Sequence, residues 1–185
     1  RHWYLVGRGI VEASRSNVLN HDIALHIHSS KNFAGIEQPE NYSIRKNDLL
    51  KGSLFLRGTV DKAYIQLLDK KKILEEQQIR GIGNEWKEFP VELSSKRDVP
   101  WTTLRIVTKE QGDLYIDQVS LMHQSSIDNQ GFRVELTDAA AALKPTILRW
   151  PGGSFSEQYR FENGIGKQSE RKGILRWDDF DPLSF

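Results

Sequence analysis

The chain has 185 residues, of which 28% are charged and 38% hydrophobic, and its formal net charge is +1. This length suits one domain, or one domain plus a fragment of another. The near-neutral charge gives no electrostatic reason to propose a nucleic-acid or membrane partner, and no apolar run approaches the ~18 residues of a membrane span. The absence of cysteine excludes disulfides, thiolate nucleophiles and cysteine-based zinc sites.

Residues 1–123 are predicted to form a succession of short strands. Ile23, Leu25 and Ile27 alternate with polar or small residues, which is the period of a strand with one buried face. Asp69–Lys72 is a polar run typical of a hairpin tip. Similar patterns recur every 10–15 residues or so, which favours a mainly β domain, an antiparallel β-sandwich of the jelly-roll, galactose-binding-like type. The predicted strands are 2–6, 10–13, 22–29, 54–58, 63–68, 73–79, 85–93, 102–108 and 114–122.

The pattern changes after residue 123. Residues 124–130 are polar and are predicted to be a linker, and residues 131–143 show helical periodicity that Pro145 ends. Residues 146–149 then form a short apolar run before a Pro-Gly-Gly turn. Helix, buried strand and glycine-rich turn are half of a βαβ unit, which would place Arg149 at the carboxyl end of a sheet. The alternative is an ordinary helix–strand connection with a structural arginine.

Five motifs follow one another in this region: GFR at 131–133, AAAALKP at 139–145, LRWPGG at 148–153, YRF at 159–161 and NGIG at 163–166. This ordered series resembles the α-L-arabinofuranosidases of glycoside hydrolase family 51. The sandwich before them resembles the carbohydrate-binding-type module found inside many members. The resemblance therefore implies a β-sandwich over 1–123, a linker over 124–130, and the first helix, strand and loop of a truncated (β/α)8 catalytic barrel over 131–185.

The resemblance also implies an activity and some site residues. Family members hydrolyse terminal α-L-arabinofuranosyl units of plant polysaccharides with retention, which needs two carboxyl groups roughly 5–5.5 Å apart. In the family both catalytic glutamates follow later barrel strands, so we expect no catalytic residue in this chain and no hydrolysis by it alone. Arg149 would contact the sugar or hold a catalytic carboxylate, and Ser154 stands where many members have a sugar-binding Asn.

The role of the sandwich stays open at the level of sequence. Aromatic faces bind sugar C–H groups, and the candidates for stacking are Trp3, Tyr4 and Trp101, with Tyr42 and Trp86 also considered. Each could instead be a core residue. The domain is then either a structural brace for the remainder of the barrel or a module that binds arabinan or arabinoxylan. The chain opens without methionine, so we expect a processed or excised piece. The sequence does not fix its compartment, and a secreted or periplasmic bacterial parent is the expectation.

Three further patterns suggest chemistry. His26 and His28 lie two residues apart on a strand and could ligate zinc or copper, or simply form hydrogen bonds. The acidic run at 178–181 could attract calcium but lacks the spacing of a calcium loop, so capping of a further element is the alternative. The Asn-Glu pair ending at Glu85 imitates a glycosidase acid/base motif. It precedes the Pro-Gly-Gly turn instead of following it, so we expect no catalytic role. No cofactor is predicted.

Overall fold

The structure is a computed structural model that describes residues 3–19, 23–149, 160–171, 174–176 and 179–183. Eight strands form the main sheet, which confirms the mainly β class, although the two strands predicted before and after Gly7–Gly9 form one strand. In chain order they are β1 Tyr4–Ser14, β2 Ala24–Ile44, β3 Leu49–Gly58, β4 Lys62–Asp69, β5 Lys72–Arg80, β6 Lys87–Ser94, β7 Val99–Thr108 and β8 Gly112–His123.

The long strand β2 joins the two layers of the sandwich. Residues 25–29 of β2 pair with β8, whereas residues 34–44 pair with β7, and β1 follows both halves with a register shift between Gly7 and Gly9. The first half continues through β8, β3 and β6, here called the β8 layer. The second half continues through β7, β4 and β5, here called the β7 layer. All pairs are antiparallel, which confirms the predicted sandwich.

β2 is longer than predicted. The predicted strand ends at Ser29, and the residues that follow include Gly35 and Pro39, which are typical of turns. The structure continues the strand to Ile44. Gly35 instead allows close packing, since a Cβ at this position would lie 2.1 Å from the carbonyl oxygen of Ile106 on β7. A glycine that permits close approach of two backbones has the same sequence signature as a turn glycine.

The core lies between the two layers. Alternate residues of each central strand are buried in one cluster, which explains why the period-2 pattern was visible in the sequence. Pairs such as Leu54 and Leu56, or Leu104 and Ile106, are at most 2% exposed. Their intervening neighbours Phe55 and Arg105 lie on the outer faces. The outer faces of the two layers are therefore accessible to a ligand.

The edges of the sheet, β5 and β6, approach each other without forming a ladder. The Gln77 side chain on β5 connects them: its Nε2 donates to the Pro90 carbonyl at 2.9 Å, and its Oε1 accepts from the Glu92 amide at 2.7 Å. Pro90 has no amide hydrogen and suits an edge strand. One side chain thus takes the place of a missing pair of ladder hydrogen bonds and nearly closes the sheet.

The C-terminal region contains short elements. Helix α1 (Gln124–Asp128) lies within the predicted linker and buries Ser126, and helix α2 (Val134–Ala142) lies within the predicted helix. Helix α2 begins three residues later than expected because Gly131 has a φ of +91°, which is incompatible with a helix. Two 3₁₀ turns follow, at Phe161–Gly164 and Gln168–Glu170, and β9 (Ile174–Arg176) pairs with β10 (Asp179–Leu183).

Residues 146–149, which were predicted to form a barrel strand, are irregular in this structure. A parallel strand obtains its backbone hydrogen bonds from neighbouring strands, and residues 146–149 pair with no strand in the described parts of the chain. The apolar pattern is present without the neighbours that would complete it. In addition, no helix among the described residues combines the length and hydrophobicity that a bilayer crossing requires.

Candidate functional site

Two predicted sugar-stacking residues lie on one outer face of the sandwich. Trp101 is 62% exposed and Tyr4 is 54% exposed. Trp101 alternates on β7 with the buried Thr102, which directs it away from the core. Tyr4 on β1 is the register partner of Glu37 on β2, and Glu37 is in turn the partner of Arg105 on β7. Both aromatic residues therefore belong to the outer face of the β7 layer.

A row of polar side chains crosses this face, here called the Arg105 row. Arg105 donates from Nε at 2.9 Å and from Nη2 at 2.7 Å to the same carboxylate oxygen of Glu37. The row continues through Gln66 on β4, whose Nε2 donates to Glu76 on β5. Lys109 places its Nζ 3.3 Å from Glu76 Oε2. The charged groups of this face are thus paired with one another, while Gln66 Oε1 is enclosed without a hydrogen-bond partner among the described residues.

A second row crosses the outer face of the β8 layer, here called the His26 row. It consists of Glu12, His26, Tyr115 and Arg57, on β1, β2, β8 and β3. The rings of His26 and Tyr115 stack with centroids 4.2 Å apart and an interplanar angle of 6°. The Arg57 guanidinium carbon lies 5.4 Å from the centroid of the Tyr115 ring and 5.9 Å from that of Trp86. Rings and guanidinium form a continuous stack across the layer.

The two histidines that could have ligated a metal contact carboxylates. His26 Nε2 and His28 Nδ1 each lie 2.9 Å from Asp113 Oδ1, and His26 Nδ1 lies 3.0 Å from Glu12 Oε1. The hydrogen bond from His28, assisted by that from His26, holds the pKa of Asp113 below its usual value although partial burial acts in the opposite direction. Among the residues that the structure describes, no three His, Asp or Glu side chains are arranged to hold a metal ion.

The remaining predicted residues are scattered. Trp3 is half-buried and packs against the core cluster. Tyr42 is also half-buried, and its hydroxyl donates to the Leu121 carbonyl at 2.8 Å. Arg149 is exposed on the irregular segment, and Glu85 is exposed ahead of β6. Ser154, the Pro-Gly-Gly turn and part of the acidic run at 178–181 lie outside the described residues. The structure thus brings Tyr4 and Trp101 to one face and leaves Arg149 apart from them.

Sequence reasoning missed Arg57 and Tyr115, and treated Trp86 chiefly as a core residue. Tyr115 alternates with the buried Leu114 and Ile116, so the pattern did place it on an outer face. The sequence carries no signal for the neighbours of Tyr115, because β2, β8 and β3 are adjacent in space and not consecutive in the chain.

The C-terminal region exposes large apolar side chains. Helix α2 buries none of its residues, and Leu136 within it is 61% exposed. Ile147 on the irregular segment is 86% exposed. Other exposed apolar residues in this region are Phe132, Leu143, Leu148, Phe161 and Ile165. Single exposed apolar residues are ordinary, but with Val134 eight large apolar side chains are exposed among the described residues between 132 and 165, and where such side chains adjoin they mark an interaction site.

Comparison with known proteins relates this chain to one group of enzymes. It is 33% identical over 143 residues to α-L-arabinofuranosidase 1 of Arabidopsis thaliana, a match covering 71% of this chain and 21% of that protein. Among solved structures, the arabinose-bound MgGH51 α-L-arabinofuranosidase superposes with a TM-score of 0.74 at 16% identity, covering 91% of this chain and 32% of that one. The chain belongs to the family 51 α-L-arabinofuranosidases. No family model matches the sequence.

The sandwich fold also occurs in carbohydrate-binding modules. The family 22 xylan-binding domain from Paenibacillus barcinonensis superposes with a TM-score of 0.50 at 11% identity, covering 65% of this chain and 85% of that domain. At this identity the similarity shows the fold alone. The chain itself spans about a fifth of the length of its Arabidopsis relative, so it corresponds to one part of a family 51 protein.

Proposed function

We propose that this chain is the accessory sandwich and the opening segment of the catalytic barrel of an α-L-arabinofuranosidase. The whole protein would hydrolyse terminal α-L-arabinofuranosyl residues of plant polysaccharides with retention of configuration. Support comes from membership of the family and from the order of the motifs between residues 131 and 166. The proposed domain limits are those predicted from sequence: 1–123 for the sandwich, 124–130 for the linker and 131–185 for the barrel segment.

The exposed apolar side chains of the barrel segment are the observation that carries this proposal. An isolated helix as short as α2 is marginal in water, and helices in proteins gain most of their stability by packing an apolar face. Leu136 and Leu143 are instead exposed, as are Ile147 and Leu148 beyond the helix. In the proposed enzyme the remainder of the barrel packs on these side chains and supplies the neighbouring strands that residues 146–149 lack.

Arg149 has the clearest proposed role in catalysis. It stands at the carboxyl end of the predicted first strand, where barrel enzymes place their active sites. Its guanidinium would donate charge-assisted hydrogen bonds to the sugar or to a catalytic carboxylate, and Ser154 would bond a sugar hydroxyl. The two catalytic glutamates would come from later strands of the barrel, so the present chain alone is inactive.

The test compares variants of the full-length enzyme on 4-nitrophenyl α-L-arabinofuranoside. Removal of one preorganised donor typically lowers kcat by roughly 10²–10³-fold, and this is the effect expected for Arg149→Gln. Arg80→Gln is the matched control, because Arg80 is an exposed arginine on β5 of the sandwich that bonds Gln78. An Arg149→Gln enzyme with unchanged kcat and KM would contradict the role assigned to Arg149.

A second function, glycan binding by the sandwich, is favoured by the exposure of Trp101 and Tyr4 on one face. Their rings offer apolar surfaces to sugar C–H groups, and the polar side chains of the Arg105 row offer hydrogen bonds. Affinity gel electrophoresis against arabinan, arabinoxylan, xylan and galactan tests it. We expect an arabinose-bearing polymer to retard the chain, Trp101→Ala to abolish the retardation and Ile73→Ala, an exposed apolar control on β5, to preserve it. Retardation by none of these polymers would leave the sandwich as a structural brace.

A further inference from the structure

Arg57 is a cation held between two aromatic rings on the outer face of the β8 layer. Its guanidinium carbon is 5.4 Å from the Tyr115 ring centroid and 5.9 Å from the Trp86 ring centroid. Trp86 directly precedes β6, whose first residue, Lys87, pairs with the neighbour of Arg57 on β3. Stacking on both rings limits the rotamers of a long side chain, so the guanidinium is preorganised for a ligand.

The charge of Arg57 has no carboxylate partner among the described residues. Arg105 and Arg97 both form ion pairs, with Glu37 and Asp69 respectively, whereas no carboxylate in the described ranges lies within 4.0 Å of Arg57. The Nε of Arg57 and the Nε1 of Trp86 are also enclosed by protein atoms and bond no acceptor there. Buried donors without acceptors are rare, and each exceptional one calls for an explanation.

Three acidic side chains on or beside the outer face of this layer are already engaged. Asp113 contacts His26 and His28, Glu12 contacts His26, and Glu88 accepts a hydrogen bond from Ser53 at 2.7 Å. Withdrawal of any of these would break an existing contact. The terminal nitrogens of Arg57, which are not among its enclosed donors, therefore remain available to a carboxylate supplied by a ligand.

We propose that Arg57 and Trp86 form a binding site for a hexuronic acid residue of an acidic polysaccharide. The half-buried Arg57 side chain has terminal nitrogens that are not among its enclosed donors, and these can hold a carboxylate through two parallel hydrogen bonds. The half-buried Trp86 supplies an apolar surface for the sugar ring. A neutral pentose offers hydroxyl groups to Arg57 and leaves its charge uncompensated. This inference rests on the proposal that the sandwich binds glycans, and it adds a second face and a charged ligand.

The test is isothermal titration of the chain with trigalacturonate and with its methyl ester. We expect trigalacturonate to bind, the ester to bind at least about tenfold more weakly because a hydrogen bond to a charged group is lost, and Arg57→Gln to cause a similar loss. Arg80→Gln, which removes the same charge from an exposed position on β5, leaves the affinity unchanged. Circular dichroism and thermal melting establish that each variant folds.

Several results would overturn the inference. Equal affinity for the acid and its ester would show that the carboxylate is not recognised, and unchanged affinity in Arg57→Gln would place any site elsewhere. If Arg57→Gln does not fold, Arg57→Lys decides: affinity lowered by roughly threefold or more supports the stacked, bidentate geometry, and unchanged affinity contradicts it. A parallel titration with a neutral arabinoxylo-oligosaccharide separates the two proposals. If the chain binds the neutral sugar but does not bind trigalacturonate, only the Arg57 site is refuted. If it binds neither ligand, both the Arg57 site and glycan binding by the sandwich are refuted.

Discussion

The Gln77 bridge provides a direct test of how the sandwich is closed. Gln77→Ala removes two hydrogen bonds to the backbone of β6, at 2.9 Å to Pro90 and at 2.7 Å to Glu92. Each bond contributes a net of about 0.5–1.5 kcal/mol, so we expect the free energy of unfolding to fall by roughly 1–2 kcal/mol. This is toward the lower end of the sum because water reaches the gap between β5 and β6. For a chain of this size the melting temperature falls about 2–4 °C per kcal/mol.

Urea denaturation followed by circular dichroism measures the change in the free energy of unfolding. Gln78→Ala is the control: Gln78 is the next residue on β5, is exposed, and bonds Tyr64 and Arg80 on the outer surface. We expect it to change the free energy of unfolding by less than about 0.5 kcal/mol. Equal stability of Gln77→Ala and the unmodified protein would refute the idea that this side chain closes the sheet, since no ladder joins β5 to β6 in the described structure.

Three more predictions concern charge and packing. The pKa of Asp113 lies below its ordinary value of 3.8, so its stabilising contribution is present above about pH 4 and is lost as the pH falls through the lowered pKa. When the free energy of unfolding is measured as the pH is lowered, it should therefore fall more steeply in the unmodified protein than in Asp113→Asn. Glu37→Gln leaves the largely buried Arg105 without its anion and should lower the free energy of unfolding in urea by about 1–3 kcal/mol. An unchanged free energy of unfolding would mean that solvent replaces Glu37. Gly35→Ala places a Cβ 2.1 Å from the Ile106 carbonyl oxygen, so we expect a loss of at least about 2 kcal/mol in the same assay; an unchanged midpoint would show that β2 and β7 can separate freely.

The sandwich was predictable because its signal is local. Each strand with one buried face carries its own alternation, as Leu25 and Ile27 do on β2, and polar tips such as Asp69–Lys72 mark the hairpins. The prediction failed where one residue type serves two purposes. Gly35 resembles a turn glycine but permits close strand packing, so the second half of β2 was missed.

The surface rows could not be predicted from the sequence. Their members come from strands that are far apart in the chain: Arg57 and Tyr115 are cross-strand partners separated by 58 positions. Side chains from such strands meet only when the register is known, and a one-residue slip would reverse the face of every one of them. The motifs that indicated the family, by contrast, lie in one stretch of the sequence, residues 131–166, and can be recognised without knowledge of the fold.

The central claim is that this chain is part of an α-L-arabinofuranosidase and depends on the rest of the barrel for activity. The most direct measurement follows hydrolysis of 4-nitrophenyl α-L-arabinofuranoside by the full-length protein and by this chain, with proton NMR of the first sugar released. We predict that the full-length protein releases arabinose with retained α configuration and that the isolated chain has no activity above buffer. Turnover by the isolated chain, or inversion by the full-length protein, would contradict the account.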